Sequence, residues 1–243
     1  SPSHIEKGWH ATGTIGTFGA ATAAAYLLDL DVDEIKNAVN IAVSLTAGNS
    51  ANVGTMTKPL HSGNAARSGL MAGYLASRGF TASDTAITDE GGFVSLYSDE
   101  TELPADASVD REWTILEEGG IFKKYPSCYY THPGIEIIQD LKADHDVTVE
   151  DISEINVTVS EGGNLGNDYP ETGLEAKFSN RYTIACSLLY ETIGLDLFRD
   201  ENLPNAEVEE LIDIISVETD DDIEYRSLET EVEISLTDGE RIT

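Results

Sequence analysis

The sequence is short of three things: cysteine, basic residues and long apolar stretches. The cysteines, Cys128 and Cys186, are too few for a disulfide framework, which favours a reducing compartment. No apolar run approaches the roughly 20 residues needed to cross a bilayer. The opening segment SPSHIEKGWH lacks the apolar core of a signal peptide. These shortages predict a cytoplasmic protein without a membrane span.

The shortage of basic residues is the most pronounced, since 14 Lys and Arg stand against 45 Asp and Glu, a formal net charge of −31. Such a field repels the phosphates of nucleic acids and the anionic surface of membranes, so we expect neither as a partner. The acidic residues are dispersed, and dispersed carboxylates with few lysines keep a surface hydrated where concentrated salt screens their repulsion. The composition therefore predicts adaptation to a salt-loaded cytoplasm, with an ordinary acidic protein as the alternative.

The first part of the chain has the composition of small-residue helices. The stretch TFGAATAAAYLLDL is rich in alanine, and DVDEIKNAVNIAVSLTAG has helical periodicity. The apolar residues of the second stretch recur on one helical face: Val32, Ile35, Val39 and Val43. Asp31 followed by Glu34 is typical of a capping box, and Gly48 is expected to close this helix.

A further helix is predicted in LHSGNAARSGLMAGYLASRGF, ending at Gly79. Small residues on one face predict tight packing against other helices: Ala65, Gly69, Ala72, Gly73 and Ala76. We therefore expect this helix to be an interior one. The polar and acidic stretch YSDETELPADASVDRE, residues 97–112, predicts a loop and a domain junction.

After this stretch the sequence pattern changes from helices alone to a mixture of helices and strands. THPGIEIIQDLKAD, KFSNRYTIACSLLYETIG and NAEVEELIDII predict helices, the second ending at Gly194. ISEINVTVS alternates Ile155, Val157 and Val159 like a half-buried strand, and TEVEISLTDGERIT predicts a strand entering an Asp-Gly turn, the start of a hairpin. We predict a mostly α chain, with a helical domain over residues 1–115 and an α+β domain over residues 116–243 that is incomplete at its C-terminus.

Basic and imidazole side chains concentrate in four short segments: GWHATGTIGTFGAA with His10, TMTKPLHSGNAARSG with Lys58 and His61, GGIFKKYPSCYYTHPG with Lys123, Lys124 and His132, and ETGLEAKFSNRYTIAC with Arg181 and Tyr182. Taken singly, each has an ordinary explanation, because a lone histidine is often a satisfied, partly buried side chain and a lysine pair is often solvated. The glycines of GTIGTFG follow no predicted strand, which favours helix packing over phosphate binding. Neither Cys-x-x-Cys nor a metal-like histidine spacing is present, so no metal site is expected.

Together, four stretches resemble the MmgE/PrpD family in the family's order: GWHATGTIGTFGAATAAAYLL, TKPLHSGNAARSGLMAGYLASRGF, FKKYPSCYYTHPGI and PETGLEAKFSNRYTIACSLL. The family includes 2-methylcitrate dehydratase, cis-aconitate decarboxylase and an iminodisuccinate epimerase. The resemblance implies a helical domain with a smaller α+β lid domain, no cofactor, a small polycarboxylate substrate and usually a homodimer. Family members are longer, so it also implies a partial chain or a partner chain that supplies the missing helices.

The resemblance also implies roles for particular residues. The expected catalytic residues are His10, Lys58, Lys123 and Tyr182. The expected substrate-binding residues are His61, Lys124 and Arg181. In a hydro-lyase of the 2-methylcitrate dehydratase type, the lysines bind substrate carboxylates and stabilise the enolate, the histidine moves a proton or orients the substrate, and the tyrosine hydrogen-bonds or donates a proton.

Three alternatives remain open at the level of sequence. Decarboxylation of cis-aconitate and epimerisation next to a carboxylate are two further reactions that the resemblance allows. A non-catalytic or half-site subunit, which needs a partner chain, is the third. Dehydration, decarboxylation and epimerisation share one physical requirement. A polycarboxylate that approaches so acidic a chain needs a local cluster of positive charge.

Overall fold

A computed structural model of the chain describes residues 2–100, 113–117, 119–203 and 205–243. The chain divides into two compact units, residues 1–118 and 119–243, which we call the first and the second unit. Of the stretch predicted as a junction loop, residues 101–112 lie outside the described residues. No described helix is long and apolar enough to span a bilayer.

The described part of the first unit is helical. Its helices are α1 (Pro2–Glu6), α2 (Ala11–Leu27), α3 (Val32–Val43), α4 (Thr57–Ala76), α5 (Phe93–Tyr97) and α6 (Thr114–Glu117), with a 3-10 turn at Ser50–Asn52. Alanine layers fill the space between α2, α3 and α4: Ala21 with Ala42 and Ala72, and Ala25 with Ala38 and Ala76. The predicted close packing of α4 is confirmed, because a Cβ on Gly69 would lie only 2.4 Å from the Cβ of Ala20.

The structure corrects two expectations about α3. The capping box is confirmed: the Asp31 side chain accepts hydrogen bonds from the backbone N–H groups of Asp33 and Glu34, and the Glu34 carboxylate accepts one from Asp31. The helix ends at Val43, however, so Gly48 does not close it. The predicted apolar face is not the most buried one, since Val32 is exposed and Ile35 is half-buried, while the fully buried positions are Ala38 and Ala42. Small residues let the backbones approach, and the larger valines lie at the margin.

The expectation that α4 is an interior helix is wrong for the described unit. One face packs against α2 and α3, but the opposite face exposes large apolar side chains: Leu60, Leu70, Met71 and Tyr74. The helix ends at Ala76, and the chain then turns through Gly79, whose φ is +81°. The periodicity of small residues correctly predicted the buried face of α4. The other face mixes polar and apolar residues, so the sequence did not indicate that it would be exposed.

The second unit is an α+β unit. Its helices are α7 (His132–His145), α8 (Gly173–Ala176), α9 (Asn180–Leu189) and α10 (Ala206–Ile212); its strands are β1 (Ile152–Ser160), β2 (Ile215–Asp220), β3 (Thr230–Leu236) and β4 (Arg241–Ile242). Short 3-10 turns occur at Tyr129–Thr131, Val149–Asp151, Leu195–Phe198 and Asp200–Asn202. The strand order is β2-β1-β3-β4, in which β1 and β2 are parallel and the other pairs antiparallel. The predicted class, mostly α with an α+β second part, is confirmed.

The core of this unit lies between the sheet and α7, α9 and α10. Ile155 of β1 pairs with Ile234 of β3, and Val157 pairs with Val232, so the predicted alternation points into the core. The predicted hairpin is confirmed by the antiparallel pairing of β3 with β4. Two details differ from expectation: α9 ends at Leu189 rather than at Gly194, and β2 was not predicted. Only the start of β2 is buried, so its sequence carries little alternation.

Candidate functional site

His10 and His61 form a pair of imidazoles in the first unit. His10 lies at the N-cap of α2 and His61 lies in α4, two helices held together by their small residues. The two Nδ1 atoms are 2.8 Å apart, and the ring centroids are 5.0 Å apart. A hydrogen bond between two ring nitrogens needs one N–H and one lone pair, so a single proton lies between them. His10 is therefore not the isolated histidine of the ordinary explanation.

The surroundings of this pair disfavour the charged form of His10. Burial lowers the pKa of His10, and the charges of His61 and Lys58 lower it further. Lys58 and His61 are three residues apart on α4, a spacing that puts both side chains on one side of the helix. Lys58 thus lies within the first turn of α4 and not ahead of it. At neutral pH the lowered pKa keeps the His10 ring neutral and able to accept or donate a proton.

Lys123 belongs to a second group, in the second unit. Its Nζ donates a hydrogen bond to the backbone carbonyl of Ser127 at 2.8 Å. No carboxylate of the described residues lies within ion-pair distance of this exposed ammonium. The positive charge of Lys123 is therefore not neutralised by an acidic side chain in the part of the chain that the structure describes.

His132 lies beside this lysine, and the sequence analysis gave it no role. It is the first residue of α7 and is 7% exposed, with its ring against those of Tyr125 and Tyr129. Burial lowers its pKa, the charge of Lys123 adds to this, and hydrogen bonds to backbone groups act in the opposite direction. Its Nε2 is buried without a hydrogen-bond partner among the described residues. The only sequence signal was its closeness to the lysine pair.

Lys124 differs from its neighbour because it forms an ion pair. Its Nζ lies 2.7 Å from Oε1 of Glu136 on α7. This hydrogen bond raises the pKa of Lys124 and lowers the pKa of Glu136. The carboxylate neutralises the lysine, so the structure gives Lys124 a local partner and no support for a role in substrate binding.

Tyr182 and Arg181 both have structural partners in the second unit. Tyr182 is 2% exposed, and its hydroxyl donates a hydrogen bond to the carbonyl of Leu197. Burial raises the pKa of this hydroxyl, which makes it a poor proton donor in its present surroundings. Arg181 Nε lies 3.4 Å from Asp168 Oδ1, an ion-pair distance. The functional roles expected for these two residues stay predictions.

The cysteines have the ordinary environment of thiols. Cys186 is fully buried, and burial raises its pKa to about 12. Cys128 is half-buried, and its backbone N–H donates to the carbonyl of Lys177. In the described residues there is no group of three or more His, Cys, Asp or Glu side chains that could hold a metal ion.

The two parts of the chain match two models of one family. Residues 1–106 match the MmgE/PrpD N-terminal domain, and residues 125–243 match the MmgE/PrpD C-terminal domain. The chain belongs to the MmgE/PrpD family.

Curated relatives share the name cis-aconitate decarboxylase. The proteins from Mus musculus and Homo sapiens are each 28% identical over 98% of this chain and 51% of their own length. A protein of the same name from Aspergillus terreus is 27% identical over 98% of this chain and 53% of its own length. The chain thus spans about half the length of the curated relatives it matches.

Proposed function

We propose that this chain belongs to a cofactor-independent lyase that acts on small di- or tricarboxylates. The observation that carries the proposal is the His10–His61 pair with Lys58 in the adjoining turn of α4. Its neutral imidazole offers a lone pair that can take a proton from a carbon next to a carboxylate, and the protonated ring can return one. An ammonium beside it suits the carboxylate itself.

Decarboxylation is the first candidate reaction. The relatives from mouse, human and Aspergillus are named cis-aconitate decarboxylases, which supports a related substrate class here. When the carbon–carbon bond to CO2 breaks, its electron pair stays on the remaining carbon skeleton and must be quenched by a proton. In this proposal the protonated form of His10 supplies that proton and is left as a neutral ring, while Lys58 holds a remaining carboxylate and stabilises the negative charge.

Dehydration of a 2-methylcitrate-type substrate is the second candidate, and it follows from the resemblance in sequence. Here His10 would remove a proton from carbon and water would leave from the neighbouring carbon. Lys58 would again stabilise the dianionic enolate. Epimerisation uses the same proton removal, followed by return of the proton to the opposite face.

A substrate panel in heavy water separates these reactions. The chain is assayed alone and within the complete polypeptide of its reading frame, with cis-aconitate, 2-methylcitrate and smaller dicarboxylates. Release of CO2 indicates decarboxylation, loss of water indicates dehydration, and deuterium exchange without either indicates epimerisation. A complete polypeptide that does none of these, with any of the acids, would contradict the proposal and favour the non-catalytic subunit.

The lysine pair offers a matched test of site residues. Loss of a preorganised charge-stabilising group costs about 10²–10³ in kcat, and we expect this for Lys123→Met. Lys124→Met should change kcat less than about tenfold, since Glu136 already neutralises that charge. Circular dichroism checks that both variants fold. Equal kinetics for the two variants would refute the assignment of Lys123.

Two further properties are proposed with this function. A homodimer agrees with what the family resemblance implies, and sedimentation of the complete polypeptide tests it. The cytoplasm is the proposed location, because the two free cysteines suit a reducing compartment.

A further inference from the structure

Gly48 touches both members of the imidazole pair. Its carbonyl accepts a hydrogen bond from the backbone N–H of His10 at 3.2 Å. Its Cα lies against the His61 ring, since a Cβ built on it would lie 3.2 Å from Cγ and 3.3 Å from Nδ1 of that ring. This Nδ1 is the atom that shares a proton with His10.

The backbone around Gly48 lies directly on the start of α2. A Cβ on Gly13, in the first turn of α2, would lie 2.2 Å from the carbonyl oxygen of Ala47. The segments on either side also pair: Trp9 forms a bridge with Asn49, and Ser50 donates its N–H to the Gly8 carbonyl at 2.8 Å. The loop that follows α3 therefore sets the position from which His10 enters α2.

We propose that Gly48 is a positioning residue for the His10–His61 pair. Its carbonyl fixes the backbone of His10, and the absence of a Cβ leaves the space in which the His61 ring meets that of His10. A hydrogen bond of 2.8 Å between ring nitrogens is directional, so a ring displaced by a few tenths of an ångström would weaken it. The relevance of Gly48 to catalysis rests on the proposed function, but its effect on the pair does not.

Two properties make glycine specific at this position. The φ of Gly48 is +126°, a conformation that residues with a Cβ rarely adopt. The Cβ of any other residue would also contact three atoms of the His61 ring between 3.2 and 3.4 Å. A suitable control is a glycine with positive φ whose Cβ would contact nothing. Gly79 meets this requirement, since its φ is +81° and its Cβ would meet nothing within 4 Å.

The test is an NMR titration of the full chain with nitrogen-15 in its histidines. Burial lowers the pKa of His10 most, and the adjacent His61 lowers it further; in Gly48→Ala we expect this pKa to rise toward its ordinary value because the His61 ring moves away. The signal of the proton shared between the two Nδ1 atoms should be lost. Gly79→Ala should leave the pKa and the signal unchanged. If Gly48→Ala does not fold, Gly48→Asn adds a Cβ in a residue that tolerates positive φ better.

A second background decides whether Gly48 acts through His61. In His61→Asn, the further change Gly48→Ala should no longer shift the pKa of His10. The proposal is overturned if Gly48→Ala causes no shift, if Gly79→Ala causes the same shift, or if the shift persists in His61→Asn. The titration needs no substrate, so its failure is distinct from a failure of the proposed lyase activity.

Discussion

The contact between α2 and α4 sets the positions of His10 and His61, and the two helices approach closely at Gly69. A Cβ on Gly69 would lie 2.4 Å from the Cβ of Ala20 and 2.5 Å from the backbone nitrogen of Ala21. Gly63, in the same helix, has nothing within 4 Å of the corresponding position. The same substitution, glycine to alanine, should therefore have opposite effects at the two sites.

The magnitudes follow from two competing terms. Alanine in place of glycine stabilises a helix interior by about 1 kcal/mol, at both positions. At Gly69 the atoms in the way are backbone and a Cβ, which have no rotamer to escape to, so the helices must separate. Overpacking of this kind costs about 1–3 kcal/mol or more, and it also loosens the alanine layers. We expect a net loss of about 1–2 kcal/mol for Gly69→Ala and a gain of about 0.5–1 kcal/mol for Gly63→Ala.

Denaturant unfolding of the full chain at one fixed salt concentration measures both variants. The two midpoints should move in opposite directions without a change in the slope of free energy against denaturant. Gly73 gives a third point, since its Cβ would lie 3.1 Å from that of Ala24, and Gly73→Ala should fall between the other two. The reasoning is refuted if Gly69→Ala stabilises the chain as much as Gly63→Ala does.

Three further predictions concern a buried hydroxyl, a buried histidine and the surface charge. Tyr182→Phe removes the hydrogen bond to Leu197 and should lower the free energy of unfolding by about 0.5–1.5 kcal/mol, measured with denaturant; an unchanged value would show that the bond contributes nothing. His4 bonds to the Tyr97 carbonyl and to Thr14, and burial lowers its pKa below 6.5, so the unfolded chain takes up this proton first as the pH falls. The contribution of His4 to the free energy of unfolding should be fully present above pH 6.5 and should be lost as the pH falls through the lower pKa of the folded state. In His4→Gln the free energy of unfolding, measured with denaturant across this pH range, should fall less. An equal fall in the variant and the parent would contradict this. The melting temperature should rise between about 0.1 M and about 2 M potassium chloride, and a constant value would count against adaptation to salt.

Short-range sequence patterns predicted the elements that a single pattern, such as a capping box or an apolar alternation, is enough to identify. The capping box of Asp31 and Glu34 and the alternation of Ile155, Val157 and Val159 are short-range patterns, and both are confirmed. The end of α9 was misjudged because Gly194 was taken as a stop, whereas the helix ends at Leu189. The parallel strand β2 was missed because its pairing with β1 joins segments about 60 residues apart. Non-local pairing leaves little trace in a window of sequence.

The candidate residues were named one by one from the sequence, but the contact between His10 and His61 was not foreseen. The segments with His10 and His61 were identified separately, and nothing in their spacing indicated that the rings touch. Gly48 was interpreted as a helix stop, yet it contacts the His61 ring and the backbone of His10. A glycine with positive φ occurs in many kinds of loop, so the sequence alone did not indicate this role. His132 was unassigned since its burial beside Lys123 depends on the start of α7.

The charges of the candidate residues bear on the proposal that so acidic a chain binds a polyacid. In the described residues Lys123 has no acidic partner, whereas Lys124 pairs with Glu136 and Arg181 with Asp168, so Lys123 keeps the stronger attraction for an anion. Opposite unit charges about 4 Å apart attract by about 1 kcal/mol in water and by about 4 kcal/mol near a protein surface. At about 0.15 M salt the screening length is about 8 Å, so the repulsion of more distant carboxylates is suppressed while attractions across about 4 Å persist. Salt that stabilises the surface would therefore also favour binding of an anionic substrate at Lys123, and the Michaelis constant should fall, not rise, with the first additions of salt.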